Sequence, residues 1–525
     1  MRKKSTFQLS STAYIILVVS LVVLVNLISF NTFTQLDLTR SGLYTLSPAS
    51  KKIFENLNDN VLVKVFFTPD LPAPYNNNAR YLRDMLQEFK TFSKGKLKFE
   101  FIDPSTDPKS EEQAKRLGVP PVQINVMRKD KFEVKQVYMG MAFLYLDKSE
   151  MIPVVKGSGG LEYDITSTIK KLTSDKAVKI GLLAPQSTPM MGQGGRAYNR
   201  LNQLLAKNYQ VVPLTLDKEK PIDKDMDLLI LAGPEKPLEP WQEYRVDQFI
   251  MGGGKVAFFV EKVNANMQYG MARAVNKEMD PWLENYGFKV NNDLVIDIKN
   301  ARITIQQQSG GMTIASMVNY PFFPVISDFP KDSPMVRDLS DLTLFFTSSL
   351  EKSKQAGDQV VFTPVAQSSS TSGVLTDPFA IDPYQKFTKE QFNGGAKTLV
   401  ATVIGAFKSY FKDGLPKDIK EDKERLPEGK KTRLVVVGNA RILEDEYTSG
   451  RSNMAFILNA VDWLAQEEDL IAIRSKGEAM PPLTEISDGA KVLIKYINVI
   501  AAPILFILFG LIYWQARKRR AKEVL

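Results

Sequence analysis

The chain has 525 residues, too many for one hydrophobic core, and about three domains are expected at this length. It contains no cysteine and no histidine, which excludes disulfides and thiolate nucleophiles and removes the commonest general base and transition-metal ligand. Of the net charge of +9, most sits in Arg2, Lys3 and Lys4 and in the basic segment from Arg517 to Lys522, so the rest of the chain has no basic excess for a nucleic-acid backbone.

The first predicted element is the uncharged run 13–30, AYIILVVSLVVLVNLISF, long enough for a membrane-spanning helix. No small-residue cleavage site follows it, so it reads as an uncleaved anchor. Residues 1–36 are therefore expected to form a cytoplasmic tail and a first transmembrane helix. Beyond it, Ser47 followed by Pro48 predicts an N-cap with proline at the first helical position, opening a short helix to about Leu57.

Residues 37–175 then read as an α/β domain. Strands are expected at 61–68 and 96–104, and a hairpin from 122–128 and 132–146. Helices are expected at 78–93, 108–118 and 161–173. This β-α-β-α-β-β-α order, with GVPP (118–121) leading into the hairpin, resembles thioredoxin-like domains. The resemblance implies a cis bond before Pro120 or Pro121. Where that family carries its redox CxxC, this chain has PDLPAPY (69–75), so the resemblance implies binding or scaffolding and not dithiol chemistry.

A second α/β domain is expected to begin at 176–286, with strands at 178–185, 211–216, 227–234 and 255–261. Helices fall near Ala197–Asn208 and from Pro240 to Met251. Apolar strands alternating with amphipathic helices imply a largely parallel sheet covered on both faces. Residues 287–432 read as a β-rich insertion followed by a charge-mixed, solvated linker (412–433). Residues 433–490 complete the sheet domain with a strand at 433–439 and a helix at 453–466. The topology resembles the class I glutamine-amidotransferase-like, flavodoxin-related sheet, whose enzymes use the Cys and His that this chain lacks.

The last element, YINVIAAPILFILFGLIYW (496–514), is a second uncharged run, followed by a basic tail within 491–525. Positive charge flanks both runs on their outer sides, so the positive-inside rule places both tails in the cytoplasm and residues 37–490 outside it. Ala501, Ala502 and Gly510 give this run a stripe of small residues suited to packing against another membrane helix.

No catalytic constellation, cofactor motif or metal-ligand cluster emerges. GQGGRAYNRL (192–201) lies between a strand and a helix, where open α/β sheets bind ligands, so Gly194, Gly195 and Arg196 are candidate anion contacts, although the spacing fits neither GxGxxG nor a P-loop. The acidic run Glu444, Asp445 and Glu446 reads as a solvated turn. The segment NYPFFP (319–324) reads as a loop packed on the core.

Three segments carry a further resemblance: DLTRSGLYTLSPAS (37–50), LEYDITSTIKKL (161–172) and GNARILEDEYTSGRSNMAFILNAVDWLAQEEDLIAIRSK (438–476). In this order, ahead of a C-terminal apolar run, they resemble the GldG family, the gliding-motility-associated auxiliary component of an ABC transporter. The resemblance implies a permease and a cytoplasmic ATPase as partners, contact with membrane lipid, room for a homodimer within the complex, and a non-catalytic extracytoplasmic role. Two other classes are open on the residues alone: a stand-alone periplasmic glycan or peptide receptor, and a degenerate amidotransferase-like enzyme.

Overall fold

The computed structural model describes residues 17–21, residues 45–474 apart from short stretches of which 185–196 is the longest, and Gly489, Lys495, Gly510, Leu511 and Trp514. Two compact units divide the chain, Met1–Ala479 and Met480–Leu525. In the second, the described residues have helical backbone and are exposed. Among the described residues no helix is long and apolar enough to cross a membrane; most of the expected spans at 13–30 and 496–514 lies outside those residues.

The first unit begins with helix α1 (Pro48–Glu55), where the Ser47 hydroxyl accepts from the Ser50 N–H at 3.2 Å and Pro48 occupies the first turn, as the capping signal predicts. Strand β1 (Val61–Phe67), helix α2 (Asn78–Phe92), strand β2 (Leu97–Ile102) and helix α3 (Pro108–Arg116) follow. Asp107 caps α3 by accepting from the N–H groups of Lys109 and Ser110 at 2.9 Å each. Next come β3 (Val122–Arg128), β4 (Lys131–Val137), β5 (Met139–Tyr145), β6 (Lys148–Ile152) and helix α4 (Leu161–Thr173).

The expected strand 132–146 is two strands. At Tyr138 the chain leaves the β3–β4 hairpin and joins a separate four-stranded sheet of order β2-β1-β5-β6. Thr68 makes the transfer: its N–H donates to the Tyr138 carbonyl and its hydroxyl accepts from the Tyr138 N–H, both at 2.9 Å. GVPP therefore leads into the two-stranded hairpin and not into the central sheet. The bonds before Pro120 and Pro121 are trans, and the cis bond among the described residues is Asp377–Pro378. The expectation of a cis proline at 120 or 121 is corrected accordingly.

The second lobe opens with β7 (Lys179–Leu183), α5 (Asn199–Leu205), β8 (Gln210–Pro213), β9 (Leu228–Ala232), α6 (Pro240–Met251) and β10 (Lys255–Phe259). It continues through β11 (Val263–Asn266), β12 (Met271–Ala274), α7 (Asp280–Asn285), β13 (Phe288–Val290), β14 (Asp293–Asp297), β15 (Asn300–Ser309) and β16 (Met312–Ile326). Then follow β17 (Leu342–Thr343), β18 (Leu350–Lys352), β19 (Val361–Gln367), β20 (Ser372–Thr376), β21 (Phe379–Ala380), β22 (Thr398–Lys408), β23 (Glu428–Val437) and α8 (Arg451–Ala465).

Strands β8, β7, β9, β10 and β23 lie side by side and parallel. Numbered by occurrence, this is the doubly wound order 2-1-3-4-5. Successive residues of each strand point to opposite faces. Ile180, Ile230, Phe259 and Val435 meet α5 and α8 on one face, while Leu229, Leu231, Phe258 and Val436 meet α6 and α7 on the other. The sheet runs on past β23 through antiparallel β22, to which β18 and β19 pair, with β13 beyond β18.

Residues 287–432 are thus not a separate insertion throughout. Strand β22 is apolar and buried over most of its length and pairs with β23 from Val400↔Val437 onward. The expected linker at 412–433 is also tied down: Asp422 accepts from the Tyr244 hydroxyl at 2.9 Å, and the Leu426 N–H donates to Gln248 at 2.7 Å, both on α6. NYPFFP lies on strand β16 and not in a loop, with Tyr320, Phe322 and Phe323 buried in a core of their own.

Candidate functional site

The three family-like segments, remote in sequence, meet at one junction. Glu162, at the start of α4, is buried. Its carboxylate accepts from the Ser47 N–H and the Ser50 hydroxyl, each at 2.7 Å. Ser50 also lies 3.2 Å from the Thr166 hydroxyl, one turn along α4. The start of α1 is thereby fastened to the start of α4.

The neighbouring residue, Tyr163, faces the other lobe. Its hydroxyl oxygen accepts from Asn208 Nδ2 at 2.6 Å and from the Arg474 guanidinium, which also stacks over the tyrosine ring at 4.3 Å from the centroid. Arg474 in turn donates to Asp462 at 2.6 Å and to the Asn459 side chain, both on α8. The Tyr209 hydroxyl donates to the second oxygen of Asp462, and Asn459 Nδ2 donates to the Met335 carbonyl at 2.9 Å. Leu470 and Ile473 pack around Tyr163 with Ala49 and Ile53.

Burial sets the electrostatics of this cluster. It pushes the Tyr163 hydroxyl up to about 12. Burial also raises the Asp462 carboxyl above its ordinary range, against the pull of Arg474 and of the Tyr209 hydroxyl. It works against the Arg474 charge as well, yet Asp462 and Tyr163 hold the guanidinium above its ordinary value. An arginine supplies several donors in a fixed plane, and here they are spread over a carboxylate, a phenol and an amide. Such a cluster locks elements together.

The carboxyl edge of the parallel sheet is the other place where function is expected, since open sheets bind ligands where the strand order reverses, here between β7 and β9. The loop after β7 contains Gly194, Gly195 and Arg196, which lie outside the described residues. The edge beyond β9, β10 and β23 is filled by side chains that tie its loops together. Asn276, with φ of 56°, donates to the carbonyls of Pro234 at 2.8 Å and Glu261 at 3.0 Å. The buried Lys262 ammonium donates to the Asn276 carbonyl at 2.5 Å and to Asp280, and burial lowers its pKa. Arg441 reaches Glu261 at 3.2 Å and the Ala265 carbonyl at 2.9 Å.

The acidic run is only partly a solvated turn. Glu446 is exposed, but Glu444 is buried, and Asp445 accepts from the Arg200 N–H at 2.8 Å and from Asn199 at 3.1 Å. The Asp445 N–H donates to the Ala197 carbonyl at 2.8 Å, so this residue clamps the start of α5. Of the small-residue stripe, Ala501 and Ala502 lie outside the described residues, and Gly510 is helical and exposed. Among the described residues no cluster of three or more acidic side chains could hold a metal ion.

Sequence reading alone missed Arg474 and Asp462. The signal was present: Asp462 is the single charge in the apolar run NMAFILNAVDWLA, and Arg474 directly follows the apolar LIAI (470–473), where an ionised group needs a buried partner.

The fold and this junction define a mixed α/β body made of several sheets, with the chain's approach to α1 and its departure after α8 fastened at one place. The chain belongs to the family described as an ABC-type uncharacterized transport system, whose match covers residues 123–466, and is an auxiliary component of such a transporter. Residues 40–144 also match a domain of unknown function (DUF7088). An uncharacterized protein of Borreliella burgdorferi (strain ATCC 35210 / DSM 4680 / CIP 102532 / B31) is 24% identical over 505 residues, covering 93% of this chain and 94% of the relative. Among solved structures, the mmIFT52 N-terminal domain aligns over 55% of this chain and 97% of its own at 16% identity, with a TM-score of 0.31, too low to support a functional comparison.

Proposed function

We propose that this chain is a membrane-anchored, extracytoplasmic and non-catalytic subunit of an ABC transporter of the gliding-motility (GldG) type. It sits in the bacterial cytoplasmic membrane as a two-pass protein, with both basic tails in the cytoplasm and ATP hydrolysis carried out by a separate subunit. The observation that carries this reading is the junction: Ser47 and Ser50 on one side, and Arg474 on the other, are held by the adjacent residues Glu162 and Tyr163. The apolar runs 13–30 and 496–514 flank these two points in sequence. The two points from which the chain leads in sequence toward these runs therefore share one buried anchor in the body.

The sheet orders support the same reading. The β2-β1-β5-β6 sheet with its flanking helices fits a thioredoxin-like lobe, and the 2-1-3-4-5 sheet fits a flavodoxin- or amidotransferase-like one. Both families do their chemistry with residues this chain lacks, so both lobes serve as binding scaffolds. Gly194, Gly195 and Arg196 are our candidate ligand contacts on the second. Ala501, Ala502 and Gly510 are our candidate surface for packing against a permease helix.

The test is purification of the tagged chain from membranes in mild detergent, with residues 496–514 native or replaced by an unrelated poly-leucine span. The native chain is expected to bring down a permease and an ATPase, and the replaced chain to lose them. Equal recovery from both would place recognition elsewhere. Protease accessibility of an N-terminal tag in spheroplasts would overturn the two-pass topology.

A further inference from the structure

The two lobes have separate hydrophobic interiors. The cores of the first lobe draw only on residues between Leu46 and Leu172. Those of the second draw only on residues between Ile180 and Ile471. Among the described residues, the one apolar cluster that spans both is the small group of Tyr163, Leu470 and Ile473 with Ala49 and Ile53. Lobes joined through so small a shared core are free to change their relative angle unless specific contacts fix it.

Among the described residues, two hydrogen bonds across this boundary converge on one atom, beside the charge interactions of Asp164 with Lys207 and of Lys170 with Asp462. The Tyr163 hydroxyl oxygen accepts from Asn208, on the connection between α5 and β8, and from Arg474, beyond α8. Both donors belong to the second lobe, and Tyr163 itself belongs to α4 of the first. Arg474 is not free to follow Tyr163, because Asp462 and Asn459 hold it against α8. It also lies on the segment 470–474, from which the chain continues in sequence toward the apolar run 496–514.

We propose that Tyr163, Arg474 and Asp462 form a latch that sets the angle between the two lobes and couples that angle to the position of the segment 470–474. Arg474 contacts Tyr163 in the lobe arrangement of this structure, so a displacement of that segment large enough to carry Arg474 with it pulls on Tyr163 and turns the first lobe. Closely packed elements joined by directional contacts switch between discrete arrangements rather than deforming continuously. The latch does not depend on which transporter the chain serves, and it is tested on the chain alone.

The absence of cysteine allows clean spin labelling. Lys98→Cys on the exposed edge strand β2 and Val361→Cys, 57% exposed on β19, place one label on each lobe. Pulsed electron–electron distances are then measured on the full chain in detergent micelles, with and without Tyr163→Phe, Arg474→Lys or Asp107→Ala. Tyr163→Phe removes a single oxygen and keeps the ring packed, so folding is preserved and is checked by urea unfolding. The native latch is expected to give one narrow distance, and both Tyr163→Phe and Arg474→Lys to broaden it or shift it by several ångströms. Asp107→Ala loosens only the start of α3, which contributes nothing to the cluster shared by the two lobes, and should leave the distance as in the native chain. Superimposable distributions for the native chain and Tyr163→Phe would overturn the latch. Equal broadening by Asp107→Ala would do the same, because it would mean a general loosening.

Discussion

The hydroxyl of Ser50 donates to the Glu162 carboxylate at 2.7 Å across 112 positions of sequence, and the Ser47 N–H reaches the same oxygen at 2.7 Å. This pairing turns a short capped helix into a fixed part of the first lobe. Alone, a helix of eight residues is too short to hold its structure in water. Phe54, stacked on Phe89 with ring centroids 4.0 Å apart, supplies the apolar half of the attachment.

Removing the acceptor should therefore loosen α1. A hydrogen bond to a buried charged group contributes about 1.5–3 kcal/mol, and losing the acceptor leaves buried donors unsatisfied. Glu162→Ala is expected to lower the stability of the first lobe by roughly that amount, and Glu162→Gln by less, since the amide oxygen still accepts. Urea unfolding followed by a probe in that lobe measures both; equal stability of Glu162→Ala and the native chain would show that the contact contributes nothing.

The pair of Arg474 and Asp462 makes a sharper case. Deleting one member of a buried ion pair strands the other, at a cost of about 3–5 kcal/mol, whereas replacing both by apolar residues of similar size is often close to neutral. Asp462→Leu and Arg474→Met are each expected to be strongly destabilising, and the double variant less so than either. A thermodynamic cycle from chemical denaturation checks the sign, and simple additivity would contradict the pairing.

Close backbone approach predicts a contrast between two glycines. A Cβ on Gly438 would lie 2.1 Å from the Ser348 carbonyl oxygen, at a point where the Gly438 carbonyl accepts from the Ser348 N–H at 2.8 Å. Gly95 has φ of 83° with open space around it. Gly438→Ala should cost about 3 kcal/mol or more by overpacking, and Gly95→Ala about 1–2 kcal/mol from the left-handed backbone conformation alone. Circular-dichroism melts of the two variants rank them; the reverse order would refute the packing at Gly438.

Glu243, on α6, predicts a pH dependence. Burial pushes its carboxyl up from 4.5 to about 7. The folded chain therefore keeps a proton that the unfolded chain releases between these values. Its contribution to stability is fully present below pH 4.5 and is lost as pH rises through 7. Glu243→Gln should be roughly 2–3 kcal/mol more stable than the native chain at pH 8, with the difference vanishing near pH 4. Denaturation at the two pH values measures it; a constant difference would show that Glu243 does not titrate in this window.

Much of the secondary structure was legible in advance because its causes are local. Ser47–Pro48 announced α1, the boundaries of α4 and α6 follow from their apolar periodicity, and the parallel strands appear as short apolar runs between helices. Capping and periodicity act over one or two turns, so adjacent residues suffice to read them. The three family-like segments were visible too, but not that they touch.

Tertiary structure decided what depends on distant partners. Thr68 breaks the apparent strand at 132–146 in two by capturing Tyr138, and nothing near Tyr138 in sequence marks the break. Strand β22 enters the central sheet because β23 offers it a buried edge, not because its own pattern says so. Absence of cysteine and histidine bounded the chemistry from composition alone, whereas the fate of each buried charge was set by a partner elsewhere. Glu162 waits on Ser47 and Ser50, and Arg474 on Asp462 and Tyr163. A buried charge is tolerated only where folding brings it a counter-charge or donors, and that pairing is a property of the folded chain and not of any stretch of it.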